Sequence, residues 1–271
     1  MLLAAAARGG RRNGDAARDG ETGTQLVLTG MVQPGNLRLM PRVARNAPGG
    51  HVYHVLNRSV GKMHLFSSDA DFEAFQRVMI EAHQRHPIRI LAYCILSNHW
   101  HFVVWPEADG QVTDFFRWLA HTHAMRWRVA NRTVGNGHLY QGRFKGFPVQ
   151  SDEHLKTVLR YVERNALGAG LVARAEDWRW GSLWARRRGE KALKAILTRW
   201  PVERPRDWTG RVNAPLSERE LGRLRISIER GRPYGDDRWI ERTAGELGLE
   251  HTTRPEGRPP KRNRTGDGPQ N

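Results

Sequence analysis

From His51 onward the apolar positions recur at two different spacings, and each change of spacing marks a new element. HVYHVLNR alternates every second residue and predicts a strand. DADFEAFQRVMIEAHQRH sets Phe72, Phe75, Val78 and Met79 at helical spacing, with Asp69 expected as its N-cap. IRILAYCIL is apolar on both sides, as a strand buried on both faces is. HWHFVVW follows after only Ser97 and Asn98, a spacing that predicts a two-residue hairpin turn. QVTDFFRWLAHTHAMRWRVANR predicts a helix with Phe115, Leu119 and Val129 on its apolar side. GRFKGFPVQ predicts a fourth strand. SDEHLKTVLRYVERNA predicts a helix capped by Ser151, with Asp152 and Glu153 in the first turn where the dipole favours them. The order is βαββαβα. Its simplest packing is an α+β fold: a ferredoxin-like antiparallel sheet with helices on one face.

The remainder of the chain has a different texture. Residues 1–48 are rich in Gly, Arg and Ala without a sustained period and are expected to form a disordered basic leader, with Met40 an alternative start. Residues 49–184 form the expected domain, residues 185–250 a helical, basic extension, and residues 251–271 a disordered basic tail. The net charge is +16, of which +8 falls in residues 181–271, with 21 basic against 13 acidic side chains. Such a surplus attracts polyanions, nucleic acid above all. Cys94 is the single cysteine, so no intramolecular disulfide forms and a closed structural zinc site is not expected. No run reaches membrane-spanning length, and the opening MLLAAAARGG is too short for a signal-peptide core. The expectation is a cytoplasmic protein without a membrane partner.

Two features carry candidate chemistry. On a strand, alternate side chains share a face, so His99 and His101 project together, roughly 6–7 Å apart at their bases. Trp100, Phe102 and Val104 then point into the core. That spacing serves a pair of surface polar residues, or two ligands of one divalent ion. His121 and His123 have the same spacing on a helix, where two residues mean about 200° of rotation, so they diverge. The second feature is the last helix of the domain. Tyr161 sits on the shoulder of a stripe formed by Leu155, Val158, Leu159, Val162 and Ala166, with Asn165 one turn away. Tyr161 is either an amphipathic filler or a nucleophile, and in the second case Asn165 offers an amide oxygen as a third metal ligand.

SNHWHFVV, GHLYQGRFK and YVERNALGAGLV, in that order, resemble the single-tyrosine HUH transposases, in particular the REP-associated tyrosine transposases. The resemblance runs from about Met40 to Trp184 and resumes weakly at GRPYGDDRWIERTAGELGL. It implies metal ligands at His99, His101 and Asn165, a nucleophile at Tyr161 and a divalent cofactor, Mg or Mn. It further implies a transposase that nicks and rejoins single-stranded or hairpin DNA through a 5′-phosphotyrosine link, as a monomer or homodimer. The family's asparagine-proline-valine-arginine-alanine run is replaced here by Asn165, Ala166, Leu167, Gly168 and Ala169, and the missing proline predicts a looser helix end.

Arg143 and Lys145, alternating on the fourth strand, are expected to contact phosphate, with Arg160 and Arg164 on the tyrosine helix as further DNA contacts. For the first pair the alternative is an edge strand guarded by cations. Arg230 and Arg232 in RGRP, and the later GRPPK, are either minor-groove arms or a basic linker. Trp178 and Trp180 either stack on bases or close a core. Two other functions fit the same residues: a DNA- or RNA-binding regulator with a degenerate metal site, and a metal-dependent nuclease in which water attacks.

Overall fold

The computed structural model of the chain describes residues 47–254. The expected leader up to residue 46, the alternative start at Met40 and the tail beyond residue 254, with GRPPK, lie outside those residues, while the first residues of the expected tail continue a short 3-10 turn over Glu250–Thr252. Four strands form one sheet: β1 (Val52–Arg58), β2 (Arg89–Leu96), β3 (His99–Trp105) and β4 (Lys145–Val149). Their order is β2-β3-β1-β4 and every neighbouring pair is antiparallel. Helix α1 (Asp69–Arg85) joins β1 to β2, α2 (Gln111–Ala130) joins β3 to β4, and α3 (Glu153–Gly168) follows β4. This is the expected α+β class and βαββαβα order, with Ser97 and Asn98 as the whole β2–β3 turn.

The sheet has two buried faces. Trp100, Phe102 and Val104 of β3 join Tyr53, Val55, Phe75, Met79, Phe115 and Phe116 in a core beneath α1 and α2. Val103, Val52, Phe147 and Val149 face the other way and pack against Leu155, Val158, Leu159 and Val162 of α3. Helices therefore lie on both faces, a correction to the expected one-faced arrangement that holds for α1 and α2 alone. The cause is visible in β2. A register shift between Ile90 and Ala92 leaves Ile90, Tyr93 and Ile95 on the first core and Leu91, Cys94 and Leu96 on the second. A strand apolar on both sides needs cover on both. The edge of β2 is also closed. Ile95 donates its backbone N–H to Trp180, and Thr198 donates to Ile90, so the segment after α3 runs along it.

Local details differ from expectation where side chains compete for the same backbone groups. Ser68, not Asp69, caps α1, because Ser68 accepts from the Asp71 N–H while the Asp71 carboxylate takes the Ser68 N–H. Asp152, not Ser151, caps α3, through the N–H of His154. Val129 is exposed, and the buried stripe of α2 is Val112, Phe115, Phe116, Leu119 and His123. The missing proline does not loosen α3, which continues to Gly168, because alanine and leucine after Asn165 prolong a helix that proline would end.

The extension folds onto the same body. Helices α4 (Ser182–Arg188), α5 (Lys191–Ala195), α6 (Trp208–Asn213), α7 (Glu218–Arg230) and α8 (Asp237–Leu247) make it up. Trp208, Val212, Leu224 and Tyr234 enter the core that α3 shares with the sheet. The buried carboxylate of Glu163 on α3 accepts from Ser182 Oγ and Trp208 Nε1, each at 2.6 Å, and so ties α4 and α6 to the tyrosine helix. Trp180 is buried and stacks on Phe72 at 4.7 Å, while Trp178 donates its indole N–H to the Ile95 carbonyl. Both tryptophans belong to the packing.

His121 and His123 do diverge: the first is exposed, the second buried. His123 Nδ1 meets the Tyr140 hydroxyl at 2.7 Å, and that hydroxyl accepts from Trp100 Nε1 at 3.1 Å. Burial pulls the His123 imidazole from its ordinary 6.5 down to about 3. The unfolded chain therefore takes up this proton first as pH falls. The stabilisation is complete above about pH 6.5 and is lost progressively below it. Urea unfolding is expected to show a lower midpoint at about pH 5 than at about pH 7, with a shallower fall in His123→Phe. Equal midpoints at the two values would contradict this account.

Candidate active site

The face beneath α3 carries more than apolar side chains. Pairing of β1 with β3 sets Arg58 opposite His99, Leu56 opposite His101 and His54 opposite Val103. By strand alternation Val52, His54, Leu56 and Arg58 share the face of His99, His101 and Val103. The rings of His99 and His101 lie 5.0 Å apart, as the two-residue spacing requires. Tyr161 descends onto them from α3. Its ring stands edge-on to His101 at 5.8 Å and to His54 at 6.2 Å. Asn165 lies one helical turn on from Tyr161, on the same edge of α3.

His99, His101 and Tyr161 open into a cavity of about 370 Å³, whose walls also include Arg58, Arg143 and Lys145. Arg143 lies in the loop before β4 rather than on the strand, because the strand begins only at Lys145. The two cations reach one cavity nonetheless. Ile228 and Glu229, near the end of α7, form its far wall. A somewhat larger cavity, about 420 Å³, lies away from the imidazoles, among Arg219, Arg223 and Arg232 with Asp236 and Asp237. The smaller one holds the candidate chemistry, since it gathers His99, His101 and Tyr161 with three basic side chains, whereas the larger one pairs a single imidazole, His154, with Tyr234.

The other predicted DNA contacts are placed elsewhere. Arg160 donates to the carbonyls of Arg211, Ala214 and Pro215, and Arg164 to those of Val212 and Asn213. Both guanidinium groups are engaged in holding the α6–α7 connection. Arg230 ends α7, where Gly231 adopts a left-handed φ of 74°, and donates to the carbonyl of Arg254. RGRP is thus a helix terminus rather than an extended arm.

Electrostatics keep the imidazoles neutral at neutral pH. Burial, then the nearby Arg58, pulls His99 down to about 4. His101 is pulled well down by burial, and by His54, His99 and Arg58. Burial takes His54 to about 3. Neutral rings carry the lone pairs that coordination needs. Burial raises Tyr161, while Asn165, Arg225 and Arg58 act in the opposite direction by favouring the phenolate.

The donor set suits a divalent cation. Asn98 Oδ1 lies 2.6 Å from His99 Nδ1, and Asn98 Nδ2 donates to the Lys62 carbonyl at 3.2 Å. The amide oxygen therefore faces His99, Nδ1 carries the proton, and Nε2 is a lone pair. His101 Nε2 is buried without a hydrogen-bond partner, as befits a nitrogen whose partner is a ligand. Among the described residues no group of three or more His, Cys, Asp or Glu is gathered for a metal, and Asn165 is not among the residues that wall the cavity.

His54, Arg58 and Asn98 escaped sequence reasoning. Alternation in HVYHVLNR does put His54 and Arg58 on one face, but only the register with β3 shows which face it is.

Residues 49–165 match the model of the family described as transposase IS200 like, a span that includes His54, His99, His101 and Tyr161 and ends at Asn165. No curated protein matches. Among solved structures, the chain is similar to a REP-associated tyrosine transposase bound to a REP hairpin, at 18% identity over 51% of this chain and 79% of that one, with a TM-score of 0.43. It is also similar to a Deinococcus radiodurans R1 protein assigned as a transposase, at 14% identity over 42% of this chain and 88% of that one, with a TM-score of 0.33. Among the described residues no helix is long and apolar enough to cross a membrane.

Proposed function

We propose, for a chain whose residues 49–165 match the model of the IS200-like transposase family, that Tyr161 cuts and rejoins single-stranded or hairpin DNA through a covalent 5′-phosphotyrosine link. The observation that carries this reading is the convergence on one cavity of the Tyr161 ring, 5.8 Å from that of His101, with two imidazoles and three basic side chains. When bound, a divalent ion such as Mg or Mn would be held by His99, His101 and Asn165 and would supply Lewis-acid polarisation of the scissile phosphodiester.

The chain's own residues account for the rest. Arg143 and Lys145 grip the DNA backbone and Arg58 lies beside His99, so the phosphate enters a positive cavity. Asn165, one helical turn along α3, favours the phenolate of Tyr161. The Tyr161 oxygen attacks phosphorus and loses its proton as the new O–P bond forms. The bond from phosphorus to the 3′ oxygen breaks, and that oxygen leaves as a 3′-hydroxyl after taking up a proton. The phosphodiester count is unchanged, so a 3′-hydroxyl can later attack the link and release Tyr161 without ATP.

The test is incubation of the full chain with an end-labelled hairpin oligonucleotide and Mn²⁺, followed by denaturing electrophoresis. A denaturation-resistant adduct that maps to the Tyr161 peptide is expected. Cleavage without an adduct would replace this reading by a water-using nuclease, and a mobility shift without cleavage by a binding protein. Arg143→Ala and Lys145→Ala are each expected to weaken binding about equally across DNA sequences and to lower the salt slope by about 1. Unchanged slopes in a salt titration would assign them to the solvated surface instead.

A further inference from the structure

We infer that His54 is a positioning residue: its Nε2 accepts a hydrogen bond from His101 Nδ1–H and thereby holds the His101 lone pair on Nε2, facing the cavity. The inference rests on the reading of His101 as a metal ligand and extends it to a residue with no assigned role. His54 comes from a different strand, is fully buried, and places Nε2 3.0 Å from His101 Nδ1. The two rings stack at 5.1 Å with planes 17° apart, so the pair is geometrically fixed.

Of two neutral rings sharing one contact, one nitrogen must be N–H and the other a lone pair. Each choice leaves His101 Nε2 and His54 Nδ1 without a partner in the protein. If His54 donates, His101 Nε2 carries a hydrogen and cannot coordinate. If His101 donates, Nε2 is bare. The surroundings favour the second choice. Arg58, Arg143 and Lys145 line the cavity, and a positive field prefers the lone-pair end of an imidazole to its N–H end. His99 gives the same result by independent means, since Asn98 takes its Nδ1–H and leaves Nε2 for the site. Both histidines thus present the same nitrogen, one oriented by the turn and the other by β1. The remaining neighbours of His54, Phe147 at 4.9 Å and the Tyr161 edge at 6.2 Å, are rings that hold it in place.

Outer partners of metal-bound histidines affect affinity about 10- to 100-fold. Calorimetric Mn²⁺ titration of the full chain is therefore expected to show His54→Phe weakened by about that factor. His54→Gln, whose amide oxygen still accepts from His101, is expected within a few-fold of the unaltered protein. Equal affinity in the unaltered chain and His54→Phe overturns the inference, as does His54→Gln failing like His54→Phe while keeping the native circular dichroism. Nitrogen-15 spectra of the histidine-labelled, metal-free chain give a readout that needs neither a variant nor a bound ion. His101 is expected protonated at Nδ1, and protonation at Nε2 overturns the inference. An unaltered chain that takes up no Mn²⁺ but shows His101 protonated at Nδ1 sinks the metal reading and leaves the hydrogen bond standing.

Discussion

Tyr161→Phe is expected to abolish the protein–DNA adduct, a loss of at least about a thousandfold, with binding of uncleaved hairpin DNA retained. The substitution removes one oxygen and leaves the ring. Its edge contacts with His101 and His54, at 5.8 Å and 6.2 Å, and its place on the shoulder of α3 do not need the hydroxyl. Affinity measured by gel shift should therefore change little while the covalent product disappears. The pairing of those two readouts gives the test its force. An adduct that persists in Tyr161→Phe would put the nucleophile elsewhere. Undiminished cleavage would mean that water attacks.

His101→Ala should be nearly as damaging, with a loss of adduct formation on the order of a thousandfold, since a Lewis acid supplies several kcal/mol of transition-state stabilisation. The change removes a buried ring that lies between Tyr161 and His54 and is 5.0 Å from His99, so one truncation disturbs the whole cluster. His101→Gln is the informative companion, because it keeps much of the volume and still offers an oxygen. Activity that rises steeply with Mn²⁺ in His101→Gln, and that is absent in His101→Ala, is the expected pattern. Adduct yield equal to that of the unaltered protein in His101→Ala, at any Mn²⁺ level, would remove His101 from the chemistry.

Much of this site could be read from local patterns. Period two in HWHFVVW sent His99 and His101 to one face and Trp100, Phe102 and Val104 to the other, where they now lie beneath α1 and α2. Helical spacing puts Tyr161 and Asn165 on one edge of α3, as the structure has them. Local patterns said less about basic residues. Arg160 and Arg164 are expected DNA contacts on the tyrosine helix, yet their guanidinium groups donate to carbonyls of the α6–α7 connection. Arg143 lies in the loop before β4 rather than on the strand, and lines the same cavity as His99, His101 and Tyr161.

What the sequence determined by itself was the set of elements, their order, and the side of its own strand or helix on which each candidate side chain stands. Those properties depend on neighbours two to four residues away, where sterics and the pleat or helical repeat act. The tertiary structure decided which sides meet: the placement of α3 against the histidine face, the closure of the second core by α6 and α7, and the register that brings His54 of β1 to within 3.0 Å of His101 on β3. Contacts across 47 residues of chain depend on strand pairing and on burial of surplus apolar surface, and no local repeat encodes either.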